Sequence, residues 1–159
     1  MESVLSEDQA YELWWLILHM RRAMHKARAR ELLQYGITPE EAAVLLVIRS
    51  IGRRATPAEI SRWLLREPHS ISGLLRRMAE KGLVKRVKDL ERRNLIRVTI
   101  TKKGREAYNQ STERGSIHRI VSAISKEDCQ KMKVCLEKLW VKALKEIGTD
   151  YKPPFPSSR

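Results

Sequence analysis

The sequence predicts a mainly α-helical fold that carries one small antiparallel β-hairpin. Two observations lead there. Apolar residues recur at helical spacing behind successive Ser, Thr or Pro starts along most of the chain. The hydrophobic period shortens to two only between about residues 83 and 101.

The first helix follows Ser6-Glu7-Asp8-Gln9, a capping-box pattern, and Ala10, Leu13, Trp14, Ile17, Met20 and Met24 then repeat at helical spacing. The pattern runs to about Leu33, and Gly36 closes it. Thr38-Pro39-Glu40-Glu41 and Thr56-Pro57-Ala58-Glu59 each place a Thr at the N-cap, Pro at the first helical position and Glu at the third. They predict helices over 39–51 and 57–65, separated by a turn at Gly52.

A fourth helix starts at Pro68. Ile71, Leu74, Leu75 and Met78 form its buried stripe, and Gly82 ends it. A short turn before this helix makes a helix-turn-helix, with the Pro68 segment as the reading helix. Next, 83–88 and 95–101 read as two strands joined by the polar loop DLERRN. A basic hairpin in that position is a wing. Thr101 caps a further helix expected to continue to about Ile120. Ser125 starts a last one, whose apolar face includes Met132, Leu136, Leu139, Trp140, Ala143 and Ile147, and Gly148 closes it. The tail YKPPFPSSR, with three prolines, reads as extended or mobile.

Charge narrows the function. The 159 residues hold 32 Lys and Arg against 19 Asp and Glu, a net +13, so DNA, RNA or an anionic membrane surface are the leading partners. No run approaches the roughly 18 apolar residues of a membrane span. The acidic, polar start MESVLSEDQ lacks a signal-peptide pattern, so a cytoplasmic protein is expected. Cys129 and Cys135 read as reduced core or boundary residues, and the four histidines form no ligand cluster. No metal site and no cofactor are expected. Neither paired carboxylates, a Ser/His/Asp arrangement nor a phosphate loop is present, so no catalytic residue is assigned and an enzyme is not expected.

The outward side of the Pro68 helix carries His69, Ser70, Ser72, Gly73, Arg76 and Arg77. A helix of this length spans roughly 20 Å, enough to lie across a major groove about 12 Å wide. The serines can donate to a phosphate or base edge. The arginines can reach phosphates or guanine. Gly73 costs up to about 1 kcal/mol against Ala inside a helix, which calls for a close approach, either to DNA or to another helix. In the ribbon, Lys85, Arg86, Lys88, Arg92, Arg93 and Arg97 outweigh Asp89 and Glu91. Lys88, Arg92 and Arg93 are its candidate DNA contacts, with Arg92 or Arg93 near the adjacent minor groove.

The run TPAEISRWLLREPHSISGLLRRMAEKGLVKR, a charged loop and then VTITKKG together resemble the MarR (multiple antibiotic resistance regulator) family of winged-helix transcription factors. The E-K-G-L-V turn and the T-x-x-G helix start carry the likeness, which extends over roughly residues 6–147. The resemblance implies a homodimer on a pseudo-palindromic operator of double-stranded DNA, commonly a repressor released by a small molecule or oxidant. It implies a D-x-R wing tip in which an acid braces an arginine in the minor groove. One register makes Glu91 the brace and Arg93 the insertion; the ungapped register places Arg92 and Asn94 there. Gly73 stands where the family often has a larger residue.

On that reading, residues 1–35 are an N-terminal dimerisation helix and 36–104 the winged helix-turn-helix domain. Residues 105–148 hold C-terminal dimerisation helices, and 149–159 are a Pro-rich tail. Trp14, Trp15, Ile17 and Leu18, with Leu136, Leu139, Trp140 and Leu144, offer more apolar surface than a monomer needs and are the expected subunit interface. His19, Met20, Met24 and Trp63 are the candidate lining of an effector pocket. The cysteines do not fall where peroxide-sensing members keep theirs. A winged-helix module binding RNA or a protein partner is the alternative from another class.

Overall fold

The computed structural model describes residues 5–92 and 94–154. Among the described residues, seven α-helices and one hairpin follow in chain order: α1 Glu7–Leu32, α2 Pro39–Ile51, α3 Pro57–Leu64, α4 Pro68–Glu80, β1 Val84–Lys88, β2 Ile96–Ile100, α5 Lys102–Ser111, α6 Gly115–Val121 and α7 Lys126–Glu146. Each predicted cap forms. The Ser6 and Thr38 capping boxes are complete, and Thr56, Thr101 and Ser125 each accept an amide of the first turn. The reading-helix segment ends within a residue or two of its sequence-predicted bounds.

The core lies between α2, α3, α4 and the hairpin, around Val44, Leu45, Ile60, Ile71, Leu75, Met78, Val84 and Val98. β1 and β2 pair antiparallel from Val84–Ile100 to Lys88–Ile96. The Val98 amide, on the far edge of β2, donates to the Ala55 carbonyl at 2.9 Å. The hairpin is thereby held on both sides at its base. At the other end of α4, buried Glu41 accepts Lys81 Nζ at 2.8 Å, fastening the start of α2 to the end of the reading helix.

Thr101 explains the T-x-x-G pattern. Its hydroxyl donates to the Gly82 carbonyl at 2.6 Å and accepts the Gly104 amide at 3.0 Å, which seats the first turn of α5 on the end of α4. A Cβ on Gly104 would stand 2.0 Å from the Leu83 carbonyl oxygen and 2.8 Å from Ile100 Cγ2. Only glycine fits.

The single helix expected from Thr101 to Ile120 is broken. It stops at Ser111 and restarts at Gly115, with Arg114 left-handed at φ 49°. The cause lies on α1. The Arg28 guanidinium donates to the Ser111 carbonyl at the end of α5 and to Glu31 at 2.6 Å. Glu31 in turn accepts both the Ser116 amide, at 3.1 Å, and its hydroxyl, at 2.5 Å. One ion pair thus satisfies the last carbonyl of α5 and a first-turn amide of α6. Gly115 is the local trace of that break in the sequence; the carboxylate that holds the restart lies 85 positions away.

α1 and α7 depart most from a packed core. The carboxyl half of α1 rests on α6 and is anchored by fully buried Leu32. In the amino half, Tyr11, Leu13, Trp14, Trp15 and Leu16 are exposed, and in α7 only Leu144 is buried. The tail, expected to be extended or mobile, has no regular secondary structure through residue 154 but packs on the domain. Through residue 154 it folds back, with Tyr151 stacked 4.3 Å from the Arg62 guanidinium of α3 and Pro153 buried.

Two predictions follow from this packing. Gly104→Ala should destabilise the fold by at least about 2 kcal/mol in urea melts, because the clash is with backbone that cannot turn away. For Glu31, burial pushes the carboxyl up, but the hydrogen bonds from Ser116 and Arg28 and the Arg28 charge outweigh it and hold the pKa at about 2. Its stabilisation is therefore complete above the ordinary value of 4.5 and drains away as pH falls towards 2. Melting temperatures of Glu31→Gln should lie below wild type at pH 7 and converge with it in that acid window.

Candidate nucleic-acid interface

The reading helix presents two unlike sides. Ile71, Leu74, Leu75 and Met78 are buried beneath it. On its outer side His69, Ser72, Arg76 and Arg77 are exposed, and Ser70 and Gly73 are half-buried. Among the described residues, neither Arg76 nor Arg77 forms an ion pair with a carboxylate. A Cβ at Gly73 would meet nothing closer than the Arg77 guanidinium, at 3.6 Å. No second helix packs there, so the close-approach requirement is not met from within the chain. Pro68 starts the helix and no side chain caps it, which leaves the first-turn amides open on the positive end of the helix dipole.

The turn that aims α4 is held tightly. Leu65 is left-handed at φ 50°, an uncommon state for a residue with a branched side chain. Buried Ser61 fixes it, donating its hydroxyl to the Arg66 carbonyl at 2.5 Å while its own carbonyl accepts the Arg66 amide at 3.1 Å. Sequence reading missed this lock; serine in a helix interior is its only local trace.

At the wing, Asp89 is the organising residue. One carboxylate oxygen accepts the amides of Glu91 and Arg92, both at 2.9 Å; the other accepts Arg97 Nε at 2.8 Å. Arg97 also donates to the Arg54 carbonyl at 3.0 Å, tying the tip to the base. The Arg92 amide, the Arg97 guanidinium and the Glu91 amide hold the Asp89 carboxyl below its usual range. Asp89 thus braces the tip, a role the sequence reading did not assign to it, while Glu91 is exposed. Lys88 and Arg92 are exposed on the ribbon, and Arg93 lies outside the described residues. Leu90, not singled out in the sequence, is 99% exposed at the tip.

Of the expected interface residues, Trp14 and Trp15 are 53% and 49% exposed, and Leu136 and Leu139 are also exposed. Ile17, Leu18 and Trp140 are half-buried, and Lys152 of the tail lies 5.0 Å over the Trp140 ring. Leu144 is instead buried within its own chain, so it has no face left for a partner. The four residues expected to line an effector pocket are divided. Trp63 lines a cleft beside the wing with Arg92, Leu95 and Arg97, and no α1 residue shares it. His19 packs on Trp15 at 4.4 Å, Met20 is exposed, and Met24 is half-buried. Cys135 is exposed and Cys129 half-buried, which places them at a boundary rather than in the core. Among the described residues no cluster of His, Cys, Asp or Glu could hold a metal ion, and no helix is long and apolar enough to cross a membrane.

A helix-turn-helix with an open, cationic reading face and a braced basic hairpin beside it is the architecture of a winged-helix DNA-binding protein. Residues 35–93, from the end of the α1 arm to the wing tip, match the model of the MarR family. Over that segment the chain is similar to the MarR family. Solved structures share the fold well beyond it. The organohalide-sensing transcriptional regulator RdhR, in its 2,4-dichlorophenol-bound form, is similar at TM-score 0.86 and 24% identity, over 100% of this chain and 98% of the other. MepR of S. aureus in complex with DNA gives TM-score 0.74 and 24% identity over 81% and 96%. A MarR mutant from E. coli complexed with operator DNA gives 0.78 and 20% over 86% and 99%. Comparison with curated proteins gives no match.

The bracing role of Asp89 is open to direct measurement. Asp89→Ala should speed hydrogen exchange at the Glu91 and Arg92 amides while leaving Leu45 and Leu75 amides unchanged. Equal exchange at the tip would show that the turn holds itself.

Proposed function

We propose that the chain acts in the cytoplasm as a homodimeric repressor that recognises a pseudo-palindromic operator and is released by a small-molecule ligand. The observation that carries this reading is the open polar side of α4, where serines, a glycine and arginines without ion pairs among the described residues face outward. In the bound state α4 enters the major groove. Ser70, Ser72 and Gly73 approach base edges, Arg76, Arg77 and His69 take phosphates, and the wing residues Lys88, Arg92 and Arg93 reach the adjacent minor groove.

Two-fold symmetry supplies the second reading helix, one helical turn of DNA away. The surface for it is the exposed aromatic run of α1 together with α7, which buries little besides Leu144 in its own chain. Trp14, Trp15, Ile17, Leu18, Leu136, Leu139 and Trp140 are the residues proposed to meet the partner. The division into a dimerisation arm to residue 35, a reading domain over 36–104 and dimerisation helices over 105–148 belongs to the same proposal. Ligand control is supported by the ligand-bound state of the structurally similar RdhR. His19, Met20 and Met24 then flank the junction between arm and reading domain as the effector side.

Selection of bound duplexes from a random pool tests the whole reading: a two-fold repeat is expected, and enrichment of unpatterned or single-stranded sequences would favour an RNA or protein partner instead. Arg77→Ala should weaken binding to every duplex and lower the salt slope by about one unit per subunit, as loss of a phosphate contact does. Ser72→Ala should change the selected bases at fixed positions. Gly73→Ala should raise thermal stability, by up to about 1 kcal/mol, while weakening operator binding. A gain in both would show that Gly73 is not there for the groove.

A further inference from the structure

We propose that the cleft between α2, β2 and α5 is a binding site for a small amphipathic carboxylate, and that its occupant bears on the wing. The cleft measures about 550 Å³, a size suited to a small ligand. Its floor is apolar: Ile48, Val98 and Tyr108 are buried, with Ile100 beside them. Its rim is cationic. Arg49 lies over the Tyr108 ring at 4.8 Å, and Arg53 and Arg105 stand exposed around the opening.

Among the described residues, no acidic side chain lines the cleft. Arg105 gives one N–H to the Ile100 carbonyl at 3.1 Å, and Arg53 has no carboxylate partner among the described residues. Guanidinium forks match a carboxylate and hold it by charge-assisted hydrogen bonds, and an apolar floor selects against a fully hydrated anion. Together they favour an anion with a hydrocarbon body.

A DNA phosphate fits less well. The site is concave, its floor is hydrocarbon, and no residue of α4 lines it. It is also separate from the Trp63 cleft beside the wing tip. The functional link runs through Val98, whose side chain forms the floor while its amide holds β2 to Ala55. An occupant pressing on Val98 and Ile100 works on the strand that carries the wing. The consequence for DNA rests on the regulator reading above; the binding itself does not.

Octanoate is the probe. Titrated into the 15N-labelled full chain, it should shift the amide resonances of Val98, Thr99 and Ile100. Arg53→Ala/Arg105→Ala, both exposed positions, should keep the native spectrum and bind octanoate at least about tenfold more weakly. Octylammonium, with the same chain and the opposite charge, should not bind. The proposal falls if octanoate leaves these amides unmoved, or if the double variant binds it as tightly as wild type. It also falls if octylammonium binds equally, or if duplex DNA shifts these amides and octanoate does not. None of the octanoate arms needs DNA, so failure of operator selection would leave their result readable.

Discussion

The Arg28–Glu31 ion pair decides how the two halves of this molecule are joined. Both side chains sit on the face of α1 that meets the α5–α6 junction, and each satisfies backbone groups that a broken helix would leave unpaired. Breaking a largely buried pair by removing one member leaves the other charge uncompensated, which is far costlier than losing an exposed pair. The direction of α1 ahead of Arg28, and with it the position of the aromatic run at residues 11–15, follows from this one arrangement. His25 adds a second tie, 2.7 Å from Glu40 at the start of α2. The arm is thus registered against the reading domain by polar contacts on two of its elements.

Within the reading domain, rigidity and openness are kept apart. The inner stripe of α4 is fully packed, its end is fastened by Lys81 to Glu41, and its entry is fixed by Ser61 around a left-handed Leu65. None of these restraints touches the outer side. The wing follows the same plan: Asp89 takes up two amides and one guanidinium, leaving Arg92 and Leu90 exposed at the tip. Groups held in place before binding lose less freedom when they bind, which favours affinity and makes a wrong sequence harder to accommodate.

Much of this was legible in the sequence because it is written in local chemistry. Thr and Ser caps, Pro at first helical positions, Gly82 as a stop and the alternation of Ile96, Val98 and Ile100 each act within a few residues, and each element they predicted is present. What could not be read depends on partners distant in the chain. The helix break at 112–114 answers to Glu31, and the folded tail answers to Arg62. The burial of Leu144 is invisible to a pattern that assigns every apolar residue of α7 to one face. Asp89, the first residue of the loop after β1, was missed as a brace because its three donors converge only once the hairpin has closed.

The Glu31–Ser116 contact spans 85 residues, whereas the helix-turn-helix and hairpin close over smaller separations, such as the 40 residues between Glu41 and Lys81. Closing a long loop carries more entropy than closing a short one, so distant pairings tend to form after local ones. The arm that the ribosome makes first is therefore the part that docks late. A nascent chain would hold a finished reading head while its exposed tryptophans still lacked a fixed direction.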